Sequence, residues 1–258
     1  MKWALVTGAS SGIGYEFAHV LAENSHNVIL VARRKERLEQ LKAEIEQKHS
    51  VKAEVIVADL SIPEEVERTH SSSKRFTDTI DVLINNAGYG ALGKFHEMDD
   101  QYQLKMIDLN VRSLTHLSYL FSRDMVNKKT GYICNVASTA AFQPGPIMSV
   151  YFATKAFVLS FSEALSEELS DHGVVVSALC PGATESEFKV RAHMEDSGLM
   201  NRMNLPSSRD VAEFGFQSMI KGKVIAIHGF MNRLGVFLNR FSPRFMVRKI
   251  VRKLVEVA

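Results

Sequence analysis

Trp3-Ala4-Leu5-Val6-Thr7-Gly8-Ala9-Ser10-Ser11-Gly12-Ile13-Gly14 decides how this chain is read. Trp3–Thr7 is a short apolar run, the pattern of a strand buried on both faces. Three glycines follow. Gly12–Glu23 then reads as a helix with Ile13, Phe17, Val20 and Leu21 on one face. A strand, a glycine-rich turn and a helix start, in that order, let backbone N–H groups approach a pyrophosphate at a helix N-terminus. The spacing Gly8, Gly12, Gly14 is not the commoner Gly-x-Gly-x-x-Gly, so the flanking strand and helix carry the inference.

Outward from that stretch, apolar runs of strand length alternate with helical patterns. Val28–Ala32, Val51–Ala58, Ile80–Asn85, Tyr132–Ala137, Val174–Cys180 and Val224–His228 read as strands two to seven. Arg34–Lys48, Pro63–Phe76, Asp100–Asn127, Tyr151–His172 and Ser207–Lys221 read as the helices among them. The alternation predicts an α/β fold: a Rossmann-type, doubly wound, seven-stranded parallel sheet with helices on both faces, plus a C-terminal amphipathic helix. Residues 1–230 are expected to form the dinucleotide-binding domain and 231–258 a basic amphipathic extension.

Hydrophobic content of 46%, charged content of 23% and a net charge of +2 fit a globular protein with no bulk attraction to nucleic acid. The charge is uneven: residues 231–258 hold seven basic residues and one acid, a net +6, which leaves −4 for the other 230. Cys134 and Cys180 sit in apolar runs and suit a reducing compartment better than a disulfide framework. Met1-Lys2 leads straight into strand one, without a signal peptide, and no apolar run reaches the ~18 residues of a membrane span. A cytoplasmic location follows as the expectation. The nine histidines are scattered without ligand spacing, so no metal is expected.

A second stretch, Ser138 to Lys155, carries the chemistry. Tyr151 and Lys155 are four apart at a helix start and share one face. An ammonium near a phenol favours the phenolate and lowers the tyrosine from its ordinary pKa of roughly 10. Tyr151 is thus a candidate acid/base. Ser138 closes the apolar strand, where its hydroxyl and the phenol could grip one carbonyl oxygen. Alone, a Tyr and a Lys at this spacing usually mark only a solvated helix face, and the rest of the chain decides.

Taken together, these residues resemble the short-chain dehydrogenase/reductase family. Thr7 to Gly14 is similar to its Thr-Gly-x-x-x-Gly-x-Gly. Asp59-Leu60 resembles its Asp after strand three, and Asn85-Asn86-Ala87-Gly88 its Asn-Asn-Ala-Gly after strand four. Asn110, in Asp108-Leu109-Asn110-Val111, resembles its mid-helix Asn, and Pro181-Gly182 its turn after strand six. Ser138, Tyr151 and Lys155 resemble its catalytic set, and the likeness runs from residue 3 to about residue 230.

The resemblance implies a nicotinamide cofactor across the carboxyl ends of the strands. Gly8, Ser10, Ser11, Gly12, Ile13 and Gly14 would take its phosphates, and Asp59 and Leu60 its adenine. Asn86, Ala87 and Gly88 would line the ribose side, and Tyr151 and Lys155 the nicotinamide ribose. Pro181, Gly182 and either Thr184 or Ser186 would hold the carboxamide. The implied reaction is reversible hydride transfer to a carbonyl carbon, with Tyr151 moving the proton and Ser138 orienting the oxygen. Asn110 would hold a water that links Lys155 to solvent.

Past strand two, an acid would suit the free 2′-hydroxyl of NAD; a 2′-phosphate needs positive charge. This chain has Arg33-Arg34 there and no acid before Glu36, with Ser10 able to add a hydroxyl. NADP(H) is therefore expected over NAD(H). Glu185–Leu205 reads as a lid, with Phe188, Met194, Leu199, Met200, Met203 and Leu205; Ala141, Phe142, Ile147 and Met148 add apolar surface. These point to an apolar ketone, aldehyde or acyl compound. The bland alternative is that they only close the lid onto the domain. A rival from another class is a non-catalytic NADPH-binding sensor or scaffold, against which stand Asn110, Ser138, Tyr151 and Lys155 together.

Leu109, Leu117, Leu120, Phe157, Phe161 and Leu165 lie on the two long helices that family members pair across a two-fold axis, and predict a homodimer or homotetramer. Ser242-Pro243 reads as the cap and first position of a last helix. Met246, Val247, Ile250, Val251 and Leu254 form one face of it; Arg244, Arg248, Lys249, Arg252 and Lys253 form the other. Such a helix either packs on protein, meets an acidic protein partner, or lies peripherally on a membrane.

Overall fold

The computed structural model describes residues 2–185, 187 and 205–256. One parallel sheet runs in the order β3-β2-β1-β4-β5-β6-β7. Its strands are β1 (Lys2–Thr7), β2 (His26–Ala32), β3 (Ala53–Val57), β4 (Val82–Asn85), β5 (Gly131–Val136), β6 (Val174–Cys180) and β7 (Ile225–Ile227). The chain winds outward from β1 to β3, then crosses back to β4 and winds the other way. The carboxyl ends of β1 and β4 therefore flank a switch point, where a crevice opens.

The central strands are almost wholly sequestered, as their unbroken apolar runs require: Ala4, Leu5, Val6, Val28, Ile29, Leu30 and Val31 have no exposed surface. On one face pack α1 (Gly12–Glu23), α2 (Lys35–Lys48) and α7 (Ser208–Ile220), burying Phe17, Leu21, Leu41 and Phe216. On the other, α3 (Pro63–Ser73) and α5 (Leu114–Lys128) bury Val66, Leu117, Phe121 and Met125. Ser207 and Asp210 cap α7 reciprocally, each side chain accepting from the other's backbone N–H.

Asp100–Asn127 is not one uniform helix. α4 (Asp100–Ile107) and α5 are joined by a π-helical turn, Asp108–Ser113. The widened turn holds the buried Asn110, whose side chain is tied to Tyr89 and Thr154, and such turns cluster at functional positions. The partner helix is α6 (Ser149–Ser170). Most of the apolar surface expected to pair across a two-fold axis is consumed by the subunit's own core. Leu117 is buried, Leu109, Leu120 and Leu165 pack beside it, and Phe161 packs near Val158; Phe157 stays exposed.

After β7 come α8 (Phe230–Asn239) and α9 (Arg244–Glu256). Ser242 does not cap α9: its hydroxyl donates back to the Leu238 carbonyl at 3.1 Å and closes α8. The inward stripe of α9 is Val247, Val251 and Val255, at i, i+4 and i+8; Met246 and Ile250, expected on the packed face, point outward, and Leu254 is partly exposed at the edge of the cavity described below. No helix among the described residues is long and apolar enough to cross a membrane.

Candidate active site

The glycine loop is built for close approach. Gly8 and Gly12 have φ of +67° and +59°, a region costly for any residue with a Cβ. A Cβ on Gly14 would lie 2.4 Å from both the Gly8 carbonyl oxygen and Asn86 Nδ2. The Ser11 side chain makes no capping bond to α1, which leaves the helix's leading N–H groups to a ligand or water. Thr7 lashes the loop to β4. Its hydroxyl accepts from the N–H groups of Asn86 and Ala87 at 2.9 and 3.0 Å and donates to the Ile84 carbonyl.

The Asn86 amide donates to the carbonyls of Thr7 and Gly8 at 2.9 and 3.4 Å, so this residue also shapes the loop. Asn86, Ala87 and Gly88 all line the crevice. Ile13 also lines it, beside Ser10 and Ser11.

At the far end, Arg34 donates from Nη2 to the Ser10 hydroxyl at 3.1 Å and the Ser10 carbonyl at 3.2 Å. The same nitrogen meets the Glu187 carboxylate at 2.9 Å. Arg33 faces Asp59 at 3.7 Å. Burial pushes the Asp59 carboxyl up, but two hydrogen bonds from Ser61 and the neighbouring Arg33 outweigh that and hold it below the ordinary value. Leu60 is buried beside it. Glu187 was not picked out from the sequence: it carries no motif, and only the fold brings it to Arg34.

Ser138, Tyr151 and Lys155 converge at the other end. β5 delivers Ser138, which accepts from the Ala140 N–H at 3.1 Å and hydrogen-bonds Tyr151. Lys155 lies one helical turn beyond Tyr151 on α6, its ammonium donating to the Val136 carbonyl at 2.7 Å and standing 5.9 Å from the tyrosine ring centre. The expected lowering of the Tyr151 pKa is overturned. Burial dominates and pushes the phenol up to about 12, against a smaller downward pull from Ser138. Burial brings Lys155 down to about 8. The ammonium's own bond is to a backbone carbonyl, and desolvation outweighs what it offers the phenol.

Asn110 is 1% exposed, and both its amide hydrogens go to protein: to the Tyr89 carbonyl at 2.9 Å and the Thr154 hydroxyl at 3.1 Å. Its oxygen accepts from the Tyr89 N–H at 3.1 Å. It pins the segment after β4 against α6. Thr184 is buried at the crevice, its hydroxyl donating to the Gly182 carbonyl at 3.1 Å, and Pro181 and Gly182 line the same wall. Ser186 lies outside the described residues, as do Phe188, Met194, Leu199, Met200 and Met203.

One continuous cavity of about 810 Å³ joins the two ends. Its volume suits a dinucleotide-sized ligand. The fit is supported by the glycine cradle and by paired cations at the end opposite Tyr151. Beyond Tyr151 the wall is apolar: Met148, Phe152, Val251, Leu254 and Val255. Among the described loop residues expected there, Met148 lines the cavity, while Ala141 and Phe142 pack toward Leu114 and Val158. Phe152 comes from α6, and the helix α9, missed as a pocket wall, supplies Val251, Leu254 and Val255. No His/Cys/Asp/Glu cluster able to hold a metal occurs among the described residues.

The short chain dehydrogenase family pattern matches residues 2–196. A very-long-chain 3-oxoacyl-CoA reductase of Mus musculus is 30% identical over 97% of this chain and 78% of its own length. A short-chain dehydrogenase from Sphingobium yanoikuyae, solved with NADPH, superposes with a TM-score of 0.84 at 31% identity, covering 93% of this chain and 94% of that one. A bulky-bulky ketone specific alcohol dehydrogenase from Comamonas testosteroni gives 0.79 at 29% identity, covering 93% and 92%. Several curated relatives are longer, and the chain spans 53% to 58% of their length.

Proposed function

The chain belongs to the short-chain dehydrogenase family, and from that premise we propose that it is an NADP(H)-dependent reductase of bulky apolar ketones, aldehydes or acyl compounds. One observation carries the reading. Ser138, Tyr151 and Lys155 meet in a cavity whose opposite end holds Arg33, Arg34 and Ser10 and whose substrate side is apolar. The names of the relatives agree, since the mouse protein reduces very-long-chain 3-oxoacyl-CoA and the Comamonas enzyme takes bulky ketones.

When bound, the cofactor supplies a hydride to the carbonyl carbon. The chain's residues do the rest. Tyr151, held protonated by burial, donates its phenolic proton to the developing alkoxide. Ser138 donates a second hydrogen bond to that oxygen and orients it. Lys155 stabilises the phenolate left behind and offers its ammonium to the nicotinamide ribose. The glycine loop takes the phosphates on backbone N–H groups, Arg33 and Arg34 the 2′-phosphate, and Thr184 the carboxamide. Asn110 is a positioning residue, acting through Tyr89 and Thr154.

Residues 1–230 are proposed as the dinucleotide-binding domain, with 231–258 as an extension that walls its substrate end. A homodimer or homotetramer is proposed through α5 and α6, where Tyr119 and Phe157 remain exposed. The free, buried Cys134 and Cys180 suit the reducing cytoplasm. The test of substrate class is NADPH oxidation across ketones, aldehydes and 3-oxoacyl thioesters of graded chain length. Rates should climb with apolar bulk; activity confined to small charged keto acids would refute the apolar pocket.

A further inference from the structure

Helix α8 is an anomaly of packing. Six of its ten residues are apolar, yet none is buried. Phe230, Met231 and Phe237 are 69%, 70% and 56% exposed, and Phe241, just past its end, 74%. A helix facing its own core would hide such side chains. Helix α9 continues the pattern. Its valine stripe is inside, but Ile250, about 100° round from Val251, is 53% exposed. Exposed apolar surface on this scale marks a contact the isolated chain does not make.

Charge identifies the occupant. The exposed side chains include Arg233, Arg240, Arg244, Arg248, Lys249 and Lys253, and residues 231–258 carry a net +6. Two copies of this face would bring like charges together, so a second copy is a poor fit. Large apolar side chains set among lysines and arginines are what an anionic lipid surface takes up: the apolar groups enter the acyl boundary and the cations meet headgroup phosphates.

Position adds a third observation. Helix α9 borders the substrate end of the cavity, which Val251, Leu254 and Val255 line. Helix α8 is tied to the turn after Ser138, where Asn239 donates to the Phe142 carbonyl at 2.6 Å. We propose that the exposed face of α8 and α9 docks the protein peripherally on an anionic bilayer, setting the mouth of the cavity against the lipid so that apolar substrate passes from membrane to site. The substrate half rests on the reductase reading; the docking half does not.

The experiment uses the full chain and vesicles of phosphatidylglycerol or phosphatidylcholine, with no substrate present. Sedimentation with phosphatidylglycerol vesicles should be strong at low salt and at least tenfold weaker at 0.5 M salt, a value on the order of several-fold above physiological ionic strength. It should also be weak on phosphatidylcholine. Phe237→Asp/Phe241→Asp and, separately, Ile250→Asp should each lower binding at least tenfold. All three positions are exposed, and turnover of a short, water-soluble ketone should not change. Turnover of a long-chain carbonyl compound carried in anionic vesicles should fall in these variants. Equal binding to both vesicle types, or binding that survives the substitutions, overturns the proposal. So does a loss of oligomer mass in the variants without any vesicle binding by the parent, which would assign the face to a second copy. Failure here with the carbonyl panel intact leaves the reductase reading standing, because vesicle binding is read without catalysis.

Discussion

Arg34 joins Ser10, at the mouth of the phosphate loop, to Glu187 beyond β6. A 2′-phosphate entering this corner would compete with the Glu187 carboxylate for one guanidinium. Losing a charged hydrogen-bond partner costs about 1.5–3 kcal/mol. Arg34→Ala should therefore raise the NADPH dissociation constant roughly 10- to 100-fold while leaving that of NADH nearly unchanged. Titrating both cofactors against both proteins checks it, and an unaltered NADPH-to-NADH ratio would contradict the assignment. Lys155 gives a second prediction. Burial lowers its pKa to about 8, so its ammonium is lost as pH rises through that value. The kcat/KM for NADPH reports groups of the free enzyme and should fall above about pH 8; a flat profile to about pH 10, the ordinary lysine range, would contradict it. Ser138, Tyr151 and Lys155 were legible because strand ends and helical spacing fix where such residues meet. The Tyr151 pKa was not. A four-residue spacing reveals a neighbouring charge, but desolvation depends on everything packed around the ring.

At the scale of elements, the strands were legible because burial on both faces writes itself as unbroken apolar runs. Their ends were less so: β3 stops at Val57 and β7 spans Ile225–Ile227. The π-helical turn at Asp108–Ser113 was hidden, since a helical pattern does not announce one extra residue per turn. It takes shape around Asn110, whose partners Tyr89 and Thr154 lie 21 and 44 residues away. Helix α9 shows a different limit. Its apolar arc is wider than one packing seam, and either Met246-Ile250-Leu254 or Val247-Val251-Val255 could have turned inward. The slender valines fit against Ala140, Met148 and Phe152, which leaves Met246 and Ile250 outside and Leu254 at the edge of the cavity. Ser242 misled for a related reason: serine hydroxyls also bond carbonyls four residues back.

At the scale of the whole molecule, the switch in winding between β1 and β4 turns separate motifs into one site. The phosphate loop, the asparagine turn after β4, Ser138 after β5 and Pro181 after β6 all stand at carboxyl ends of strands, along one crevice. That convergence follows from parallel strands with right-handed crossovers, which is why so much of the site could be assembled from a linear chain. Assembly beyond one chain was less readable, because leucines that pack inward look the same in sequence as leucines that pair outward. Sedimentation at micromolar concentration should give two or four times the chain mass of 28.8 kDa; the mass of a single chain would contradict pairing through α5 and α6. The most direct test of the central claim follows the hydride from one end of the cavity to the other. The protein is given NADPH deuterated at the transferable position of nicotinamide C4, with a bulky apolar ketone. The account predicts an alcohol with one deuterium on its carbinol carbon. It also predicts that Tyr151→Phe binds NADPH as before but forms that alcohol about 10²–10⁴-fold more slowly. Alcohol formation by Tyr151→Phe at the parent rate, or no deuterated alcohol from any bulky ketone, would contradict it.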